Sequence, residues 1–308
     1  MDQEGWAISG VEISGVELLT WRRVQLRRGG RAVDLDWLLD LAAGLSWQQL
    51  QAVRLDPRRP VVLSQGLGPL ADLWSRHLAS QEPLQYLVGR CPWRGMELQV
   101  GPGVLIPRQE TDCLIELALQ QAPPVAPQLW ADLGTGSGCI ALALAQAWPA
   151  SQGLAVDISD QALAVAAANL QAGACADRVR LLQGSWWTPL RPWWGRLALV
   201  TANPPYIPSA VWAELDPVVR VHEPAVALDG GVDGLEAIRR IAADALQALA
   251  PGGLLLLEHH HDHSSRVLTL LEAAGLIQAT AHQDLEGQWR FASARRSPAS
   301  LPGPVPRA

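Results

Sequence analysis

Apolar residues in the first part of the chain recur three and four positions apart, the spacing of one face of a helix. The stretch Leu35-Asp36-Trp37-Leu38-Leu39-Asp40-Leu41 carries this period, and Val16-Glu17-Leu18-Leu19-Thr20-Trp21 opens an earlier amphipathic stretch. Ser46 stands where an N-cap would precede Trp47-Gln48-Gln49-Leu50, and residues 69–78 predict another helix. The expectation is a small helical bundle over residues 1–88. Within it, Ile8-Ser9-Gly10-Val11-Glu12 is repeated as Ile13-Ser14-Gly15-Val16-Glu17. A repeat this short cannot stack into a solenoid, and it reads as a disordered leader.

The period then changes. Met96-Glu97-Leu98-Gln99-Val100 alternates apolar and polar residues, and Trp93-Arg94-Gly95-Met96 offers a turn with glycine. This pattern predicts a hairpin linker over residues 89–106. From 107 to 297, apolar runs of strand length at 129–133, 153–156, 179–182, 197–201 and 253–257 alternate with helical runs at 138–148, 160–170, 235–249 and 264–274. Two further strands, near 277–282 and 288–294, lie close together and predict one antiparallel strand at the end of the sheet. Alternation of this kind defines an α/β domain with a doubly wound, mostly parallel sheet. Residues 298–308, rich in proline and small side chains, read as a disordered tail.

Composition narrows the class. The 308 residues are 49% hydrophobic and 18% charged, enough for a globular protein with a real core. No apolar run reaches the roughly 18 residues of a membrane span. The start, Met1-Asp2-Gln3-Glu4, lacks the features of a signal peptide. The expected location is cytoplasmic. Cys91, Cys113, Cys139 and Cys175 have no metal-binding or disulfide spacing and read as buried thiols. All 24 basic residues are arginine, and the net charge of −6 counts against a general nucleic-acid surface.

The candidate chemistry sits at the ends of the predicted strands, where doubly wound sheets bind ligands. Asp132-Leu133-Gly134-Thr135-Gly136-Ser137-Gly138 passes from the first strand into a helix. Its glycines permit tight backbone angles and close approach of a cofactor. Asp157 ends the second strand, where an acid binds ribose hydroxyls or caps the next helix, a task Ser159 can also perform. Asp132 either binds a cationic end of the cofactor or orders the loop. Trp186, after Gly184-Ser185, can cover an aromatic base; it is nearer the strand end than Trp187. Asn203-Pro204-Pro205-Tyr206 follows the fourth strand. The Asn203 side-chain carbonyl and the Pro204 backbone carbonyl can accept the two N–H groups of a planar NH2. Tyr206 can stack on that plane, and the prolines stiffen the loop.

The chain resembles the protein-(glutamine-N5) methyltransferases that modify peptide chain release factors, over about residues 16–296. The glycine loop and Asn203–Tyr206 carry the resemblance. So do Pro83-Leu84-Gln85-Tyr86-Leu87-Val88-Gly89, Val104-Leu105-Ile106-Pro107-Arg108, Glu223-Pro224 with Ala227-Leu228, and Gly230-Gly231-Val232-Asp233-Gly234-Leu235. It implies a Rossmann-like class I methyltransferase with a seven-stranded sheet and S-adenosylmethionine as cofactor. The implied substrate is the glutamine of the Gly-Gly-Gln motif of release factors, gripped through the helical N-terminal domain. It implies cofactor contacts at Gly134, Thr135, Gly136, Ser137, Gly138, Asp157, Trp186 and Asn203. It also implies glutamine binding and catalysis at Asn203, Pro204, Pro205 and Tyr206.

Two segments depart from the family pattern. Gln109-Glu110-Thr111-Asp112 stands for the usual Pro-Glu-Thr-Glu, and Glu258-His259-His260-His261-Asp262-His263 for Glu-x-Gly-x-x-Gln. The histidine run is remote in sequence from both motifs and reads as a solvated loop, with no metal expected. The competing readings are an N-methyltransferase acting on an exocyclic amine of a nucleic-acid base, which the acidic charge disfavours, and a non-catalytic binding protein, which the intact glycines and Asn203 disfavour.

Overall fold

The computed structural model describes residues 10–122 and 127–298. The chain divides into one unit of Met1–Cys91 with Pro217–His222 and a second of Pro92–Asp216 with Glu223–Ala308. Residues 8–9 of the expected leader and 299–308 of the expected tail lie outside the described residues.

The first unit contains helices Gly15–Arg27, Ala32–Ala43, Trp47–Leu55, Leu67–Ser80 and Leu84–Val88. Leu35, Leu38 and Leu39 form the predicted apolar face and are fully buried with Leu18, Leu50, Leu70 and Trp74. Ser46 begins its helix in a capping box: its hydroxyl accepts from Gln49 N at 3.3 Å, and Gln49 Oε1 accepts from Ser46 N at 2.8 Å. The described part of the duplicated segment is not disordered. Val11–Ser14 forms strand β1 and pairs antiparallel with β2, Pro60–Leu63, with Val11 opposite Leu63 and Ser14 opposite Pro60. Ser14 then caps the following helix by accepting from Glu17 N. Gly15 is needed there, since a Cβ would stand 2.8 Å from Pro57 O. The strand's partner is distant in sequence, so the local pattern of the duplication could not reveal it.

Strands β3 (Arg90–Trp93) and β4 (Met96–Gln99) form the expected hairpin. Its turn residues Arg94 and Gly95 have φ of 50° and 71°, the left-handed pair that a tight two-residue hairpin requires.

The central sheet uses β5 (Leu129–Leu133), β6 (Gln152–Asp157), β7 (Val179–Gln183), β8 (Leu197–Ala202), β9 (Leu249–Glu258), β10 (Ile277–Gln283) and β11 (Trp289–Arg295). Their order is β10-β11-β9-β8-β5-β6-β7. Strands β5 to β9 run parallel, and β11 is antiparallel to both β9 and β10. Helices Glu236–Ala248 and Ser264–Ala273 contribute Ile238, Ile241, Val267 and Leu271 to one buried cluster. Helices Asp112–Gln121 and Cys139–Ala147 contribute Leu114, Ile115, Ile140 and Leu144 to a second. With both faces covered, the central strands are apolar on both sides rather than alternating, apart from the buried pair Asp132 and Thr201. The strand order reverses between β5 and β8. Beyond their carboxyl ends lies the crevice where such sheets bind ligands, and those two strands deliver the glycine loop and Asn203.

Candidate active site

Three glycines shape one side of the crevice. Gly134, Gly136 and Gly138 have φ of 72°, 54° and 79°, values costly for any residue with a Cβ. Gly134 N and Thr135 N both donate to Val156 O, at 2.8 and 2.9 Å. Asp157 holds the next step: its Oδ2 accepts from Gly136 N at 2.8 Å and its Oδ1 from Ser159 N at 2.9 Å. Ser159, as expected, caps the helix Asp160–Ala172 through Ala162 N. Each Asp157 oxygen retains a lone pair for a further donor. A Cβ on Gly138 would stand 3.1 Å from Ala166 Cα, so this glycine permits close packing of the helices.

Trp186 and Trp187 separate cleanly. Trp187 is buried in the core and donates its indole N–H to Ile241 O at 2.9 Å. Trp186, with φ of 46°, is turned instead to the cavity wall, its ring 3.3 Å from where a Gly134 Cβ would lie. Asp132 is fully buried. Its Oδ1 accepts from the Thr201 hydroxyl at 2.9 Å, and its Oδ2 has no partner among the described residues. Burial pushes its carboxyl up to about 6.

Gly134, Gly136, Asp157, Ser159 and Trp186 line a cavity of about 440 Å³ that also takes in Asn203, Pro205 and Thr111, while Asp132 and Trp187 do not reach its wall. Gly138, Pro204 and Tyr206 are set back from its wall. That volume lies within the ordinary range for small-molecule sites, about 300–1,000 Å³. The glycine backbone, Asp157 with its spare acceptors and Trp186 suit a nucleoside.

The acceptor side is a side-chain network. Asn203 Nδ2 donates to Thr111 Oγ1 at 3.1 Å, and Thr111 Oγ1 donates to Glu258 Oε2 at 2.8 Å. Glu258 Oε1 accepts from the Tyr206 hydroxyl at 2.9 Å. Glu258 is 1% exposed, and burial raises both its carboxyl and the Tyr206 phenol above their ordinary values. Asn203 Oδ1 has no hydrogen-bond partner among the described residues. The Asn203–Tyr206 loop leads into a backbone clamp: Ile207 N donates to Leu228 O, and Gly230 N to Ile207 O. A Cβ on Gly230 would stand 2.8 Å from Pro205 O, and one on Gly234 2.4 Å from Tyr206 O. Nearby, the buried Glu223 accepts from Arg108 at 2.7 Å and from Ile106 N at 3.1 Å. That pairing ties two of the sequence motifs together.

Two expectations about the histidine run need correction. Glu258 is not remote from the acceptor loop but bonded to Tyr206 and Thr111. The segment is not a solvated loop, because His259 and His263 are 0% and 3% exposed. Sequence distance hid both facts, since β9 carries its end to the switch point beside β8. Thr111 and Glu258 are site residues that sequence reasoning passed over. Both stand at positions where this chain keeps the family's residue, Thr in Pro-Glu-Thr-Glu and Glu in Glu-x-Gly-x-x-Gln, and that was the available signal.

The strand order and the glycine crevice at its switch point define a class I methyltransferase, whose methyl donor is S-adenosylmethionine. A family model for the methyltransferase small domain matches residues 102–214. The chain is 48% identical over 285 residues to the release factor glutamine methyltransferase of Prochlorococcus marinus, covering 92% of this chain and 97% of that protein. It is 44% identical over 242 residues to the protein of the same name from Gloeobacter violaceus, covering 78% and 82%. Among solved structures, the hMettl16 catalytic domain in complex with a MAT2A 3′UTR hairpin aligns with a TM-score of 0.51 at 16% identity, over 78% of this chain and 84% of that chain. At that identity the likeness is one of fold. The chain belongs to the release factor glutamine methyltransferase family.

Proposed function

We propose that this enzyme transfers a methyl group from S-adenosylmethionine to the side-chain amide nitrogen of the glutamine in the Gly-Gly-Gln motif of peptide chain release factors. The observation that carries this reading is the Asn203 amide, held by Thr111 through its nitrogen with its oxygen left unbonded at the cavity wall. S-adenosylmethionine, when bound, supplies an electrophilic methyl group on its sulfonium sulfur. Gly134–Ser137, Asp157 and Trp186 would hold it against Asn203. An amide nitrogen is a poor nucleophile because its lone pair is delocalised, so positioning dominates. Asn203 Oδ1, at the cavity wall, accepts one N–H of the glutamine, orients its lone pair, and stabilises the positive charge that develops on nitrogen. Tyr206, fixed by Glu258, limits the plane of the amide. Both Glu258 oxygens already accept hydroxyls, so the surplus proton leaves to water.

Recognition of an intact release factor falls to the N-terminal unit. In support, Trp47 and Leu55 on the helix Trp47–Leu55 are 65% and 88% exposed, the kind of apolar anchors that interfaces bury. This role places the enzyme in the cytoplasm and in translation termination. No helix among the described residues is long and apolar enough to cross a membrane.

The direct test incubates the full chain with labelled cofactor and a purified release factor, then maps the methyl group by mass spectrometry. A methyl group anywhere other than the Gly-Gly-Gln glutamine rejects the assignment. Replacing Trp47 and Leu55 together with Ser should raise KM for the intact release factor and leave cofactor affinity unchanged. An unchanged KM rejects the docking role.

A further inference from the structure

We propose that His260, Asp262 and His263 form a binding site for one divalent transition-metal ion of the zinc class, at the turn that follows β9. One ligand atom from each residue lies within 4.8 Å of the others. The Asp262 carboxylate stands between the two imidazoles, with Oδ1 2.5 Å from His260 Nδ1 and 3.5 Å from His263 Nε2. A tetrahedral ion about 2.0–2.2 Å from each donor spaces its ligand atoms roughly 3.3–3.6 Å apart. The Asp262–His263 separation already fits. The His260–Asp262 separation must widen by about 1 Å, with the ion replacing the hydrogen bond between them, and the 64% exposure of the Asp262 side chain leaves room for it.

The more demanding ligand is already fixed. His263 is 4% exposed in its side chain, and its ring occupies space that Gly234 leaves open, since a Cβ there would stand 2.6 Å from His263 Cε1. A ligand locked by packing before the metal arrives lowers the ordering cost of binding. The donor chemistry selects the ion: two imidazoles and one carboxylate suit zinc, cobalt, nickel or copper better than magnesium or calcium. The remaining position is open to water or to His261, whose ring centroid is 4.3 Å from that of His260.

His263 immediately precedes the helix Ser264–Ala273, and Glu258 lies at the end of β9. An ion held here clips that helix to the strand end carrying the carboxylate that holds Tyr206. Its role is structural, and it does not depend on the methyl acceptor.

The test uses untagged full-length protein stripped with chelator. Cobalt(II) serves as a spectroscopic probe and zinc(II) as its competitor. Wild type should take up one equivalent of cobalt with the visible absorption of a tetrahedral site, and zinc should displace it. Asp262→Asn and His260→Gln, both at accessible side chains, should each weaken zinc binding at least tenfold. Both should also abolish a zinc-dependent rise in Tm. His222→Gln, away from the cluster, should change neither. Absence of uptake below millimolar metal, or uptake that survives both substitutions, overturns the site.

Discussion

The two sides of the cavity are made from different parts of the peptide. The cofactor side is backbone: three positive-φ glycines, two N–H groups on Val156 O, and a third N–H on Asp157. The acceptor side is side chains: the Asn203 amide, the Thr111 hydroxyl, the Glu258 carboxyl and the Tyr206 phenol in one chain of hydrogen bonds. A backbone-built site depends on local conformation and is written in a short contiguous motif. A side-chain network depends on distant segments meeting, and each link can be removed separately. The two sides should therefore fail in different observables.

Asn203→Ala offers the largest separation. Loss of a positioned acceptor at the reacting nitrogen should lower the methyl-transfer rate by about 10²–10³ while calorimetric cofactor affinity holds. Near-normal turnover would break the comparison. Asp157→Ala acts on the other side. It removes a charged acceptor and frees the Gly136 and Ser159 amides, and should weaken cofactor binding by about 1.5–3 kcal/mol, read by calorimetry. An unchanged dissociation constant would mean that Asp157 only shapes the loop.

Glu258→Gln sharpens the contrast at smaller scale. The amide keeps one acceptor oxygen for two hydroxyls, so one hydroxyl must turn its proton away and accept from the new NH2, exchanging a bond to a carboxylate for a weaker neutral one. At about 0.5–1.5 kcal/mol, kcat should fall roughly 2–10-fold with cofactor affinity intact. Equal losses in both would show the two sides to be one coupled unit. Asp132→Asn acts on stability rather than on turnover, and its effect depends on pH. The folded carboxyl is raised from 3.8 to about 6, so the folded state favours the protonated form. The resulting destabilisation is absent below about 3.8 and complete above about 6. The cofactor-free variant should thus melt a few degrees above wild type at neutral pH and together with it in acid. A constant difference across the range would rule out titration of Asp132 as the cause.

How much could be read in advance follows the same division. The parallel strands, Ser46 as a helix cap, the hairpin at Arg94-Gly95 and the glycine loop are local patterns. Each is visible because its physics is satisfied within a few residues. Trp186 was distinguishable from Trp187 by nearness to the strand end. The pairing of β1 with β2 was not visible, because Val11 to Ser14 find their partners in Pro60–Leu63. Thr111 and Glu258 were hidden by the same distance. The histidines after Glu258 also gave that segment a polar look that its burial contradicts.

The hydrogen bond between Thr111 and Glu258 joins residues 147 positions apart. During synthesis at about 5–20 residues per second, Glu258 joins the chain roughly 7–30 s after Thr111. The glycine loop and Asp157 are complete long before that. A nascent chain therefore holds all the parts of its cofactor side while its acceptor loop still lacks the carboxyl that steadies Tyr206. The acceptor network can close only once the end of β9 has been made, and β10 and β11 still follow it.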